Sequence, residues 1–254
     1  MKKLLEEAAL FRALAAAFRY PDAETRKTVT AMFAALHTGD GTRRRSVARA
    51  DLLQRVEDAW SATDGAALES EYLRLFHGAG SCALRETAYG DGRRIAGRSA
   101  ELADIAGFYR AFGLRVAERR PDLPDHLSAE LELMSLLLLK EAYAISQGWT
   151  ERRAIARDAQ KEFLASHLGR WVGALADALA ANDAPLIYLA LVDVVGLAVR
   201  RQCRRFRIAP KLAEGRLPRD FMQDDGFDCP RAGGENANAR ETSDSPKAAE
   251  PLVH

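Results

Sequence analysis

The chain has 254 residues, with 37 Lys and Arg against 36 Asp and Glu, 48% hydrophobic residues and 7% aromatic ones. That length and composition suit a globular protein with a substantial core. The balanced charge argues against a dedicated nucleic-acid binder, which carries a strongly basic domain. Three cysteines, Cys82, Cys203 and Cys229, lie far apart with no CxxC pair and no zinc-ligand spacing, which argues against a disulfide scaffold and fits a reducing compartment.

Met1-Lys2-Lys3-Leu4-Leu5 starts like the basic end of a secretory signal, but Glu6 and Glu7 interrupt it at once, so a cytoplasmic protein is expected. The most apolar stretches, Leu131 to Ile145 and Leu186 to Val199, are shorter than the roughly 20 residues of a membrane span and carry Lys140, Glu141 or Asp193. They read as buried core helices, and no membrane insertion is expected.

With 47 Ala and 32 Leu against 6 Ile and 10 Val, the chain favours helix formers over β-branched residues, which predicts an all-α fold. Leu4, Ala8, Phe11, Ala15 and Phe18 recur at helical intervals, predicting a helix from Lys3 to Arg19 that stops before Pro21. Asp22 is the expected N-cap of a second helix, fading near Gly39. Ser46 can cap a third, with Leu52, Leu53, Val56 and Trp60 inward. Asp64 can cap a fourth, with Leu68, Tyr72, Leu75 and Phe76 inward and Gly78 closing it. Between Gly78 and Arg98 the periodicity lapses over five glycines, predicting a long loop of the kind that is functional or disordered.

Helix resumes at Ser99, with Leu102, Ile105, Phe108, Tyr109 and Phe112 inward and Gly113 at its end. After a polar link the most hydrophobic helix runs from Asp125 to Gln147, apolar almost all round and therefore central. A further helical region opens near Thr150 and breaks near Gly169. The last helix, capped by Asp183 with Pro185 just inside, ends near Phe206. From Asp220 onward eight acids face three bases among Gly, Asn, Ser and Pro, so 207–254 is expected to be a mostly disordered acidic tail with Phe221, Met222 and Phe227 as a docking patch. Residues 1–206 then form one helical domain of about eight helices.

Unusual chemistry concentrates in Glu86-Thr87-Ala88-Tyr89 and in Asp122-Leu123-Pro124-Asp125-His126. Asp125 reads as the N-cap of the central helix; beside a loop, it and His126 could instead recognise a cationic partner or respond to pH. Enzyme motifs are missing: no nucleophile elbow, no P-loop, no His-Glu-x-x-His and no dinucleotide fingerprint. No cofactor or metal is expected, and His167 reads as a satisfied structural histidine. The arginine runs at 43–45, 93–94, 119–120, 152–153, 200–201 and 204–205 read as solvated faces.

Tyr72-Leu73-Arg74-Leu75-Phe76, Glu86-Thr87-Ala88-Tyr89, Tyr109 with Gly113, Pro124-Asp125-His126-Leu127 leading into Glu130-Leu131 and Met134, and His167-Leu168-Gly169-Arg170-Trp171 resemble, in order and spacing, the TorD/DmsD/NarJ family. These are cytoplasmic chaperones of dimethyl-sulfoxide-reductase-type molybdenum enzymes. The family often has Glu-Ser-x-Tyr where Glu86-Thr87-Ala88-Tyr89 stands, and Glu where Asp122 stands.

The resemblance implies a single-domain, TorD-like helical chaperone, a monomer or helix-swapped dimer, and not an enzyme. Its partners would be the apo catalytic subunit of one molybdenum oxidoreductase and that subunit's twin-arginine signal peptide. Binding would keep the subunit ready for its bis-molybdopterin guanine dinucleotide cofactor and delay export or membrane attachment. By the same resemblance Tyr72, Phe76, Glu86, Tyr89, Asp122, Asp125 and His126 are the client-binding candidates. Carboxylates select arginine because the guanidinium pairs with them bidentately, in a geometry that lysine lacks. The competing readings are a helical metal-dependent hydrolase using His126 and His167, and a stable accessory subunit of a reductase complex.

Overall fold

The computed structural model describes residues 1–38, 47–77, 82–89, 98–114 and 124–213. Among them the chain forms α1 (Lys2–Ala17), α2 (Ala23–Thr38), α3 (Val47–Ala62), α4 (Gly65–Phe76), α5 (Arg98–Ala111), α6 (Leu127–Ser146), α7 (Thr150–Phe163), α8 (Gly169–Ala181) and α9 (Leu186–Phe206). A 3₁₀ turn spans Glu86–Ala88, and a π-helical turn, Leu164–Leu168, joins α7 to α8 without a break in the rod. The fold is all-α, as the composition predicts, and among the described residues only the isolated bridge between Arg85 and His126 pairs extended backbone. No described helix is long and apolar enough to cross a membrane.

α6 is the centre because its apolar residues surround it. α1 packs along one side and α7 along another, while α9 closes on α1, α3 and α8. Leu127, Leu131, Met134, Leu137 and Leu138 of α6, Phe11 and Leu14 of α1, and Leu191 and Val195 of α9 are fully enclosed in one continuous core. Burying a side chain of this size stabilises the fold by about 1.5–3 kcal/mol.

Two predicted caps form as read. Asp22 Oδ1 accepts the Thr25 N–H at 2.7 Å, and Asp64 Oδ2 accepts those of Ala66 and Ala67. Two others do not. α6 starts at Leu127 and its cap is His126, whose Nδ1 accepts the Ser128 N–H at 3.2 Å; Asp125 is drawn away by Thr87. Asp183 does not cap α9: it takes the left-handed conformation (φ 48°) that ends the turn after α8, and α9 begins after Pro185 with no side-chain cap. Gly113 (φ 76°) closes α5 in the conformation that glycine adopts most easily.

Two segments expected to be irregular are built into the body. Residues 82–89 lie against the start of α6: Leu127 N–H bonds Leu84 O at 2.8 Å, Glu86 N–H bonds Asp125 O at 3.0 Å, and Cys82 N–H returns to Leu75 O. Of the expected tail, residues 208–213 turn back onto α8, where Ala213 N–H bonds Arg170 O and Arg170 Nε bonds Lys211 O. A β-carbon on Gly169 would lie 2.2 Å from Leu164 O and 2.7 Å from Pro210 Cγ, so the π turn and the returning segment together require glycine there. Ser46, Gly78, Asp122, Cys229, the docking patch and the rest of the expected tail fall outside the described residues.

Candidate functional site

The 3₁₀ turn, the start of α6 and the π turn converge on three buried carboxyl groups. Glu86 is 2% exposed, and Asp125 and Glu130 are fully buried. Thr87 fastens the first two segments together, its Oγ1 donating to Asp125 Oδ2 at 2.6 Å and its N–H reaching the same oxygen at 3.4 Å. His167 Nδ1 lies 3.1 Å from Glu86 Oε2, and its Nε2 lies 3.1 Å from Asp104 Oδ2 on α5. The widened π turn places that imidazole between the two acids, the kind of local use for which such turns are retained.

Trp171 donates its indole N–H to Glu130 Oε2 at 3.1 Å, and Tyr89 stacks on the Trp171 ring with centroids 5.4 Å apart. The Tyr89 hydroxyl donates to Ala83 O, and the Tyr109 hydroxyl to Pro124 O. Loop 82–89 is therefore tied to α6, α8 and its own backbone. One oxygen each of Glu86, Asp125 and Glu130 has no hydrogen-bond partner, so the cluster holds more acceptors than donors.

The charges follow from that imbalance. Burial, with Glu86 and Asp125 adding to it, favours the neutral acid and raises the Glu130 carboxyl well above its ordinary range, although the Trp171 hydrogen bond favours the carboxylate and opposes the rise. Burial also raises Glu86, and the hydrogen bond and charge of His167 only partly oppose it. For His167, burial lowers the pKa, but Glu86 and Asp104 outweigh burial and raise it. The imidazolium and the Glu86 carboxylate therefore support each other's charge.

Tyr72 and Phe76 belong to a different group, an edge-to-face row running Tyr20, Tyr72, Phe76 and Tyr188, with centroids 5.6, 5.1 and 5.0 Å apart. Tyr72 and Phe76 are half-buried, while Tyr20 and Leu73 beside them are exposed. His126 is also half-buried. The structure thus brings Glu86, Tyr89 and Asp125 together. Glu86 and Asp125, expected among the client-binding residues, are both enclosed, because Thr87 and His167 draw them inward. Asp122 lies outside the described residues.

Sequence reading passed over Glu130, Asp104 and Glu101 as site residues. The signal for Glu130 was present, since Leu127, Glu130, Leu131 and Met134 share one face of α6, and an acid on an apolar face is buried. His167 is a satisfied histidine, as its spacing suggested. Arg201 and Arg205 correct the reading of the arginine pairs as wholly solvated, for they reach the buried Glu7 at 3.3 Å and Glu141 at 2.5 Å. Among the described residues no group of three or more His, Cys, Asp or Glu side chains could hold a metal ion.

Residues 45–177 match the nitrate reductase delta subunit family. The chain is 34% identical over 116 residues to the selenate reductase assembly chaperone of Thauera selenatis, which covers 46% of this chain and 59% of that protein. It is 32% identical over 105 residues to the chlorate reductase assembly chaperone of Ideonella dechloratans, covering 41% and 53%. With the dimethyl sulfide dehydrogenase assembly chaperone of Rhodovulum sulfidophilum it shares 33% identity over 171 residues, covering 58% and 68%. The matches to the first two thus span little more than half of those relatives' length. With more than half of its length matched by the family, the chain belongs to the nitrate reductase delta-subunit family of redox enzyme maturation proteins.

Proposed function

We propose that this protein is a cytoplasmic assembly chaperone for the catalytic subunit of a molybdenum oxidoreductase of the dimethyl-sulfoxide-reductase type. It binds the subunit before its molybdopterin cofactor is in place, engages its twin-arginine signal peptide, and is released after cofactor insertion. The relatives are assembly chaperones by name, and family members are not catalysts. The observation that carries the reading is the use made of the motif residues: Glu86, Thr87, Tyr89 and Asp125 spend their polar groups on holding residues 82–89 against the start of α6 and the π turn. An arrangement whose polar groups fix the shape of a surface suits a protein that binds another polypeptide.

In this reading Glu86, Tyr89 and Asp125 are positioning residues. Tyr72, Phe76 and His126, which retain exposure, meet the client, with exposed Tyr20 and Leu73 extending the apolar area toward its hydrophobic stretch. Capture from the native cytoplasm by the tagged full chain tests it. Wild-type protein should recover a molybdenum-enzyme catalytic subunit, and Tyr72→Ala with Phe76→Ala should recover less at an unchanged amount of folded chaperone. Recovery of no such subunit by the wild type would contradict the reading.

A further inference from the structure

The arginine pairs that close α9 are divided between two tasks. Arg201 and Arg205 turn inward to Glu7 at 3.3 Å and Glu141 at 2.5 Å. Arg200 and Arg204, four residues apart and so on one side of the helix, stay exposed, and Arg207, in the left-handed conformation that ends α9, is exposed as well. Among the described residues none of these three forms an ion pair, and α9 has no acid after Asp193. The negative end of the helix dipole favours cations in the last turn, which accounts for Arg204 and Arg207. It does not reach Arg200, which stands at the spacing from Arg204 where like charges repel. At the same end the half-buried Phe206 has the guanidinium groups of Arg157 and Arg205 over its ring at 5.3 and 4.9 Å, and Leu212, just beyond, is 65% exposed.

We propose that residues 220–228 of the same chain dock on this end of α9, their aspartates facing Arg200, Arg204 and Arg207 and their apolar side chains meeting Phe206 and Leu212. The segment reads Asp-Phe-Met-Gln-Asp-Asp-Gly-Phe-Asp, with acids at 220, 224, 225 and 228, no base, and Phe221, Met222 and Phe227 between them. No later stretch matches it, since Glu235, Glu241, Asp244 and Glu250 are scattered among Arg231, Arg240 and Lys247. Reach is sufficient. Ile208 to Ala213 extends no more than about 20 Å and Ala213 to Asp220 up to about 25 Å, so the segment can return to α9, where Arg200 to Arg207 spans about 10 Å. Guanidinium groups pair with carboxylates bidentately, so each aspartate that arrives offsets the repulsion between neighbouring arginines. This docking is internal to the chain and does not depend on the chaperone reading.

Cys229 adjoins the segment, while Cys82 and Cys203 are buried, so a nitroxide attached to Cys229 of the full chain reports where the segment lies. At 0.1 M salt, where charges act over about 10 Å, it should broaden the amide NMR signals of Arg200 to Arg207. Arg200→Gln with Arg204→Gln should lower the docked-to-free ratio, read from that broadening, about fivefold, the size of two surface ion pairs, with circular dichroism unchanged. Asp224→Asn with Asp225→Asn should do the same, Arg200→Lys with Arg204→Lys should keep most of the effect, and 1 M salt, with a screening length of about 3 Å, should remove it. No broadening in wild type, or broadening equal in wild type and both neutralised variants, would overturn the proposal. Equal broadening in a mixture of nitroxide-bearing chains and separate isotope-labelled chains would place the segment on a second copy and overturn it too.

Discussion

Two fully buried glutamates on the same helix are handled in opposite ways. Glu141, in the second half of α6, accepts from Arg205 at 2.5 and 2.7 Å, from Arg157 at 3.1 Å and from Gln160 at 3.0 Å. Burial raises its pKa, but the hydrogen bonds from Arg205 and Gln160, the Arg205 charge and the Arg157 hydrogen bond outweigh it, so the carboxyl is held below its ordinary value. Glu130, at the start of the helix, receives one indole N–H and lies among other carboxyl groups. The first site joins helices by charge pairing. The second joins a loop to helices while remaining short of donors, which is the less stable way to fill an interior and marks the place where the fold is shaped for something besides stability.

That contrast is broken most forcefully at the paired end. Arg205→Ala leaves Glu141 buried with its main partner gone and should cost about 3 kcal/mol in urea unfolding. Thr87→Val removes the hydroxyl that holds Asp125 and should cost about 2 kcal/mol, with faster hydrogen exchange in residues 82–89 and not in α7. His126→Ala removes the cap of α6 and should cost about 1 kcal/mol in thermal unfolding.

The smallest effect is a gain. The folded chain holds the Glu130 proton more tightly than the unfolded chain, whose value is near 4.5, so this group's contribution to stability is full below that pH and declines as pH rises toward the folded value. His167 acts in the same direction from 6.5 upward, while Glu141 acts oppositely and loses its contribution as pH falls through its lowered value. Glu130→Gln should therefore match wild type near pH 4 and exceed it at pH 8 in denaturation midpoints. A variant less stable than wild type across the whole range would contradict the assignment of Glu130 as a neutral acid.

The helices were legible because their apolar residues repeat at three and four positions, and caps such as Asp22 and Asp64 act on the very next turn. Asp125 was misread for the complementary reason. Its cap propensity is local, but the hydroxyl that captures it belongs to Thr87, in another segment, and a contact so distant in sequence leaves no periodic trace. The loop around Glu86 looked open because of its flanking glycines, although Cys82, Leu84, Ala88 and Tyr89 are apolar enough to be buried. The family motifs located the cluster, but they did not say that its carboxylates face inward. Asp104 and Glu101 had only helical spacing to recommend them, and their contacts depend on the π turn, which brings His167 and Arg170 opposite them.

The reading of the protein as a chaperone for a molybdenum enzyme is tested most directly by the metal content of whatever it holds. The catalytic subunit captured by the tagged full chain, analysed for molybdenum by mass spectrometry, should be essentially free of the metal and should dissociate once cofactor is supplied. A stable complex in which the captured subunit carries stoichiometric molybdenum would contradict the account and make this protein a lasting component of the finished enzyme.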